Sequence, residues 1–274
     1  MATLNIVGAG HVGRVLGRLF AASGAFQVQD VLTRSAASAQ AALPFIGAGA
    51  AAAGYARLRR ADVTMLAVGD DQIGPACAAL AAGGALAGTV LFHCSGALAS
   101  GELAAARALG AAVASVHPIR SFADPAQVAA EFAGTYCGIE GDAAALALLE
   151  PALLAIGARP VPIDAAAKTV YHAAAVFASN YLVTVLDAAL RAYQAAGVPE
   201  AVARELAQPL VNETVANVFR LGPERALSGP IARGDFATVD RQRRAVGQWD
   251  AGSGALYEAL VAPTAALARR RRGA

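Results

Sequence analysis

The sequence predicts an α/β fold, an N-terminal Rossmann-type doubly wound parallel sheet followed by an all-α C-terminal domain. Three observations predict it. Strand-length apolar runs alternate with alanine-rich helical stretches over the first part of the chain. A strand, a turn of the form G-x-G-x-x-G and a helix follow one another at the start. From Ala165 onward there is helical spacing and no convincing strand.

The first strand is Leu4 to Val7. It runs into Gly8-Ala9-Gly10-His11-Val12-Gly13, and then into a helical pattern from Arg14 to Phe20. In this context the glycines have distinct tasks: Gly8 makes the tight turn, Gly10 lets backbone approach a pyrophosphate, and Gly13 lets the helix pack on the strand. The helix start offers free N–H groups and a positive dipole end to phosphate. Ala9, His11 and Val12 complete the turn. Phe26 to Thr33 is the second strand, Asp62 to Val68 a central one, and Thr89 to Cys94 the next. Ala111 to His117 follows, and Tyr136–Ile139 and Arg159–Ile163 read as two edge strands. The alanine clusters at Ala50–Ala53 and Ala104–Ala106 read as compositional.

Ala165 to Ala196 reads as one long helix, stopped at Gly197 before Pro199. Glu200 to Leu221 is a second, ended by Gly222-Pro223. Phe236 to Val246 and Gly254 to Arg271 are the remaining long ones. A boundary near residue 164 separates a dinucleotide-binding domain, 1–164, from a helical substrate and dimerisation domain, 165–274.

The chain has 274 residues, 57% hydrophobic and 15% charged, which predicts a sizeable core and excludes disorder. Alanine causes much of the mean hydropathy of +0.48. No uninterrupted run of about 18 strongly apolar residues stands out, so no membrane span is expected. No leader segment is expected either. A net charge of +2 does not argue for nucleic acid. The run Arg269–Arg272 reads as a solvated helix end. Cys77, Cys94 and Cys137 are sparse and odd in number, which suggests free thiols in the cytoplasm. No spacing resembles a metal site.

Ligands of doubly wound sheets bind beyond the carboxyl ends of the strands. The turns there are the Gly8 loop, Thr33-Arg34-Ser35, Gly69-Asp70-Asp71 with Val68 before it as a coenzyme contact, Ser95-Gly96 and His117-Pro118. An acidic residue ending strand two would hold a ribose 2′-hydroxyl, whereas an Arg suits a 2′-phosphate. The strand reads as running past Asp30 to Thr33, Arg34 and Ser35, which favours NADP over NAD. S-adenosylmethionine is the rival ligand, and the helical second half fits it poorly. Asp70 and Asp71 are candidates for a helix cap or a coenzyme contact. His117 is a candidate proton donor or a turn-stabilising group, and His93 reads as structural.

Lys168 is the one lysine among 22 basic residues. A desolvated lysine can exchange a proton near neutrality, which arginine cannot. His172 lies one turn on, at i+4 on the same face, with Ser179 about 20° and Asn180 about 120° round the helix from Lys168. For hydride transfer to a carbonyl or imine such neighbours supply an acid or base. Ser95 and Asn180 are candidates to position the reacting group. Arg233, in the turn Gly229–Asp235, is a candidate clamp for a substrate carboxylate, with Asp235 as the cap of the helix beginning at Phe236.

The stretches Gly8–Gly13, Val68–Asp71, His93–Ala97, His117-Pro118, Lys168–Asn180 and Gly229–Asp235 together resemble a family of candidate NADP oxidoreductases. Its members pair a Rossmann-like domain with a C-terminal helical domain of unknown function, like the C-terminal domain of 6-phosphogluconate dehydrogenase. The chain is more distantly similar to pyrroline-5-carboxylate reductase, ketopantoate reductase and the β-hydroxyacid dehydrogenases. In those relatives a catalytic lysine opens the first long helix of the second domain and an Asn follows one turn later. The resemblance matches Lys168 to that lysine, but His172 stands where the Asn would. It also implies a homodimer through the helical domain.

The expectation is therefore an NADP-dependent reductase or dehydrogenase acting on a small, carboxylate-bearing molecule in the cleft between domains. Lys168 would exchange the proton and His172 would assist. The alternatives are a non-catalytic NADP-binding sensor or scaffold, and an NADP reductase that uses a deazaflavin.

Overall fold

The computed structural model describes residues 1–84 and 86–273. Eight strands form one sheet: β1 (Thr3–Val7), β2 (Gln27–Leu32), β3 (Ala50–Ala51), β4 (Val63–Leu66), β5 (Val90–His93), β6 (Ala112–Pro118), β7 (Tyr136–Gly141) and β8 (Arg159–Pro162). Their order is β3-β2-β1-β4-β5-β6-β7-β8. The first six, in the order 3-2-1-4-5-6, run parallel, so the order reverses between β1 and β4. That reversal opens a crevice at their carboxyl ends.

The helices of this portion are α1 (His11–Ser23), α2 (Ala36–Ile46), α3 (Asp70–Ala82), α4 (Ala104–Arg107), α5 (Pro125–Ala130), α6 (Ala143–Ala155) and α7 (Lys168–Val176). Strand side chains alternate between two apolar layers, as the pleat requires. Leu4, Ile6, Met65 and Phe92 pack with residues of α1, α2, α5 and α6, such as Leu16, Phe20, Ile46, Val128 and Leu149. Val7, Leu66 and Leu91 face the other way, with Ile73 and Cys77 of α3 and Ala106 of α4. Helices therefore cover both faces.

The sheet is not wholly parallel, as the sequence suggested. β7 pairs antiparallel with β6, and β8 runs parallel to β7. An antiparallel neighbour needs no long crossover, and the link between β6 and β7 holds only the six-residue α5. Ala50–Ala51 is a two-residue edge strand against β2 rather than compositional filler.

The chain divides into two compact units, Met1–Ser179 and Asn180–Ala274. Strands end at Pro162, close to the expected boundary at 164, but the first unit runs on through α7. The physical reason is Lys168, whose side chain is buried among residues of the sheet. The expected single helix from Ala165 to Ala196 is also subdivided. A 3₁₀ turn (Ala165–Ala167), α7, a π-helical segment (Phe177–Tyr181) and α8 (Leu182–Ala195) succeed one another. A π segment inside a helix is rare, has no clear sequence signal and often marks a functional position.

By length and composition alone, Ala165–Ala195 could cross a membrane, with a mean hydropathy of 1.5 over 18 residues. Alanine fills much of this stretch, so its hydropathy arises without a run of strongly apolar side chains.

The second unit is helical: α8, α9 (Glu200–Leu221), α10 (Pro223–Ala226), α11 (Pro230–Arg233), α12 (Phe236–Trp249) and α13 (Ala251–Gly273). Arg191 ties three of its helices. It pairs with Asp187 at 2.9 Å, donates to Ser253 Oγ at 3.2 Å and lies over the Trp249 ring.

Phe92 is fully buried at the centre of the sheet. Phe92→Ala is expected to lower unfolding free energy by about 3–5 kcal/mol, measured by urea denaturation.

Candidate active site

The turn after β1 is built by its glycines. Gly8 has φ +93°, and an added Cβ there would strike Ala67 and Val68 of the neighbouring β4 turn. The Gly8 N–H donates to Leu32 O at 2.8 Å, locking the turn to the end of β2. Gly13 presses on Gly8 and on the Ala67 methyl, while Gly10 has open space on its side-chain face. Gly10 starts α1 without any side-chain cap, so the first-turn N–H groups remain available to an anion. Ala9 O accepts from the Arg14 guanidinium, and the His11 ring sits 2.5 Å from Phe122 O. Val12 packs against the core.

β2 runs past Asp30, as the coenzyme argument required. Asp30 is buried and held by Arg59, whose Nη2 donates to Oδ1 at 2.6 Å and whose backbone N–H donates to Oδ2 at 2.8 Å. Its carboxylate is therefore spent within the fold. Beyond the strand, Ser35 caps α2 by accepting from Ser38 N, and Thr33 Oγ1 donates to Ser35 O at 2.8 Å. Arg34 is exposed on this braced turn. On the β4 turn, Val68 is partly buried and Gly69 caps α3. Asp70 and Asp71 lie in that helix's first turn and do not cap it with their side chains.

The Lys168 side chain is 1% exposed. Its Nζ donates to Ser95 O at 2.8 Å and to Ser115 Oγ, and lies 3.9 Å from Glu140 Oε1. Glu140 accepts from the N–H and Oγ of Ser100, both at 2.7 Å. One ion pair thus joins α7, β6, β7 and both ends of the 95–100 turn. Burial pushes the Lys168 ammonium down to about 8, against the opposing pull of Glu140.

Ser95 Oγ is engaged in its own turn, accepting from Ala97 N and Leu98 N. His93 is structural, as expected. The Ser95 N–H donates to its Nδ1, so the ring proton sits on Nε2 and is donated to Ala99 O. Burial holds its pKa below the ordinary value. Burial also pushes the Cys94 thiol up to about 12, fixing it as an inert filler.

A second cluster lies one helical turn beyond Lys168. The His117 and His172 rings meet edge to face at 5.4 Å, and His117 meets Tyr171 likewise at 5.6 Å. Both imidazoles lean on Gly96, where a Cβ would collide with His172 Nδ1 and lie 2.8 Å from His117 Nε2. The Tyr171 hydroxyl lies against Gly138 and 3.1 Å from His117 Nδ1. His172 Nδ1 is buried with no hydrogen-bond partner. Burial, with the neighbouring His172 and Lys168, lowers His117 to about 4, and burial raises Tyr171 to about 12.

Lys168, His172, His117 and Ser95 are thus gathered in one unit, and Ser115, Glu140, Tyr171 and Gly96 join them. The sequence marked Gly96 only as part of the Ser95-Gly96 turn, and it gave Ser115, Glu140 and Tyr171 no role in the site. Ser115 and Glu140 lie far from Lys168 in the chain, and strand register alone brings them together. Asn180 opens the second unit, is exposed, and accepts from Thr184 Oγ1 through its carbonyl at 3.3 Å. Arg233 is exposed at the end of α11, and Asp235 caps α12 by accepting from Thr238 N at 3.0 Å. Among the described residues no group of His, Cys, Asp and Glu is arranged to hold a metal.

A family model for a Rossmann-like domain matches residues 2–118, and the model for DUF2520, a domain of unknown function, matches residues 135–264. The first match covers the parallel part of the sheet, and the second begins before β7 and runs into α13. Within the DUF2520 match lie β7, β8 and α7, and so Glu140, Lys168, Tyr171 and His172. The structure of protein TM1727 from Thermotoga maritima is 29% identical with a TM-score of 0.73, covering 98% of this chain and 99% of that one. A candidate NADP oxidoreductase from Bacteroides fragilis is 19% identical with a TM-score of 0.80, covering 96% and 98%. An imine reductase from Myxococcus stipitatus, in complex with NADP⁺, is 18% identical with a TM-score of 0.69, covering 96% and 92%. No curated protein matches the chain.

The buried lysine makes a testable pH signature. Its folded pKa, about 8, lies below the ordinary 10.5, so the unfolded chain binds this proton more tightly. The burial penalty is fully present below about 8 and is relieved as pH rises toward 10.5. Wild type should therefore gain stability relative to Lys168→Met across that window, measured by parallel urea titrations.

Proposed function

We propose that this chain is an NADP-dependent oxidoreductase, moving a hydride between the nicotinamide and a small, carboxylate-bearing substrate. The observation that carries the reading is the Gly8–Gly13 turn, with its positive φ at Gly8, open face at Gly10 and uncapped α1 amides. The pyrophosphate would lie on those amides, with Val68 and Gly69 on the adjoining turn. Arg34, Thr33 and Ser35 would take the 2′-phosphate, since Asp30 is committed to Arg59. The bound coenzyme would supply or accept the hydride. Solved structures of similar fold are complexes with NADP⁺ and with NADPH, a reductive aminase from Aspergillus terreus among them, and this supports the choice. Ser95, Asn180 and Arg233 remain candidates for holding substrate, Arg233 as the partner of its carboxylate. Three free cysteines fit work in the cytoplasm.

Titration calorimetry with NADPH and NADH tests the coenzyme reading. Arg34→Ala should weaken NADPH by roughly tenfold or more, the worth of a charged hydrogen bond, and leave NADH nearly unchanged. Equal weakening of both overturns it.

The same reading includes a homodimer through the helical unit. Val183, Leu206, Leu210, Val215 and Phe219 are all exposed on α8 and α9, more apolar surface than a monomer usually shows. Leu210→Glu with Phe219→Glu is expected to halve the mass seen by light scattering while circular dichroism stays unchanged.

A further inference from the structure

We propose that His117 and His172, rather than Lys168, exchange the proton, and that the group they serve is a hydroxyl or its carbonyl. The proposal rests on the coenzyme reading above and deepens it.

Lys168 Nζ already meets Ser95 O, Ser115 Oγ and Glu140, all internal partners. Two of its three donors are engaged within the fold, the third has only Glu140 at 3.9 Å, and the side chain is 1% exposed, so the ammonium is enclosed by the fold rather than presented to a substrate. The imidazoles differ. His172 Nδ1 is the one buried side-chain polar atom without a partner among the described residues, a state that costs about 1–3 kcal/mol and calls for a cause. His117 Nε2 faces the same side of Gly96.

Tyr171 decides which of the two donates. Burial keeps its phenol protonated and its oxygen lies 3.1 Å from His117 Nδ1, and we assign the O–H as the donor of that contact. A neutral His117 then carries its proton on Nε2. The pair therefore presents one N–H donor and one bare nitrogen. A hydroxyl satisfies both, accepting from His117 and donating to His172. An ammonium, the ordinary state of an amine near neutrality, has no lone pair for His117. In oxidation the hydroxyl O–H breaks, its proton goes to His172 Nδ1, and its electron pair forms the C=O. The hydride leaves the same carbon with its own electron pair for the oxidised nicotinamide. In reduction His172 returns the proton to the carbonyl oxygen.

The full chain saturated with NADP⁺ is titrated with lactate and 3-hydroxybutyrate, and in parallel with alanine and 3-aminobutyrate. Long-range proton–nitrogen NMR of the imidazole rings is the readout, with NADPH formation beside it. Expected are a proton on Nε2 of His117, a bare His172 Nδ1, and a His172 shift on adding a hydroxy acid but not an amino acid. His172→Asn should lower turnover of that acid about 100-fold at unchanged KM and NADPH affinity. Tyr171→Phe, which leaves His172 in place, should redistribute the His117 tautomers. A proton on Nδ1 of His117 in the wild type overturns the proposal. So do His172 resonances that neither hydroxy acid moves, an equal response to the amino acids, or full turnover in His172→Asn. Absence of NADPH binding to the wild type is instead the failure of the coenzyme reading.

Discussion

A buried ammonium fastens the carboxyl end of the sheet to the helix that follows it. Lys168 reaches from α7 to the Ser95 carbonyl beyond β5, to Ser115 on β6 and toward Glu140 on β7. Taking such a charge out of water costs several kcal/mol unless it is met by an opposite charge and hydrogen bonds. Here it is met by both, and Glu140 is itself held by two hydrogen bonds from Ser100. The 95–100 turn is thus fixed from below at each end and from within by His93 and Ser95. With α7 seated by Lys168, Tyr171 and His172 fall one turn further along. There they meet His117 and the bare backbone of Gly96. The geometry of the histidine cluster is a consequence of the lysine contact.

The two ends of the first unit were unequally legible. The Gly8–Gly13 turn is local, so its strand, glycines and helix could be read directly and fell where expected. The commitment of Asp30 was half legible. Its position before Val31-Leu32 showed that the strand continued, but its partner Arg59 lies 29 residues away. The lysine site was legible only as an oddity, one Lys in an arginine chain. Ser115 and Glu140 come to it through the β6–β7 register, where they pair directly. An antiparallel turn of the sheet at β7 sets that register, and the sequence reading took the sheet as parallel. Gly96 was legible as part of a ligand-side turn, but the reason it must be glycine was not. Its φ is not positive, so no turn demands a glycine. The demand comes from two rings arriving from β6 and α7. The π segment at Phe177–Tyr181 has no periodic signature that distinguishes it from the helix on either side.

The rarity of lysine in this chain has an explanation in packing alone. Arginine would bring a broad planar fork with five donors into a space whose acceptors are one carbonyl, one hydroxyl and one carboxylate edge. A compact ammonium on a four-carbon stem donates to the carbonyl and the hydroxyl and pairs with the carboxylate at 3.9 Å. The chain uses arginine where the guanidinium can lie flat or reach water, as Arg59 does on Asp30 and Arg191 on Trp249. It uses lysine at the enclosed point. Uniqueness in composition therefore marks a steric and hydrogen-bonding requirement and does not by itself mark proton transfer. The cluster beside it has the complementary character. Burial holds His117 and Tyr171 in their neutral forms, the phenol lies against the His117 ring, and one imidazole nitrogen is left without a partner. A fold that surrounds its buried cation with internal partners yet leaves an imidazole nitrogen unpaired beside it divides positioning from proton exchange between neighbouring turns of one helix.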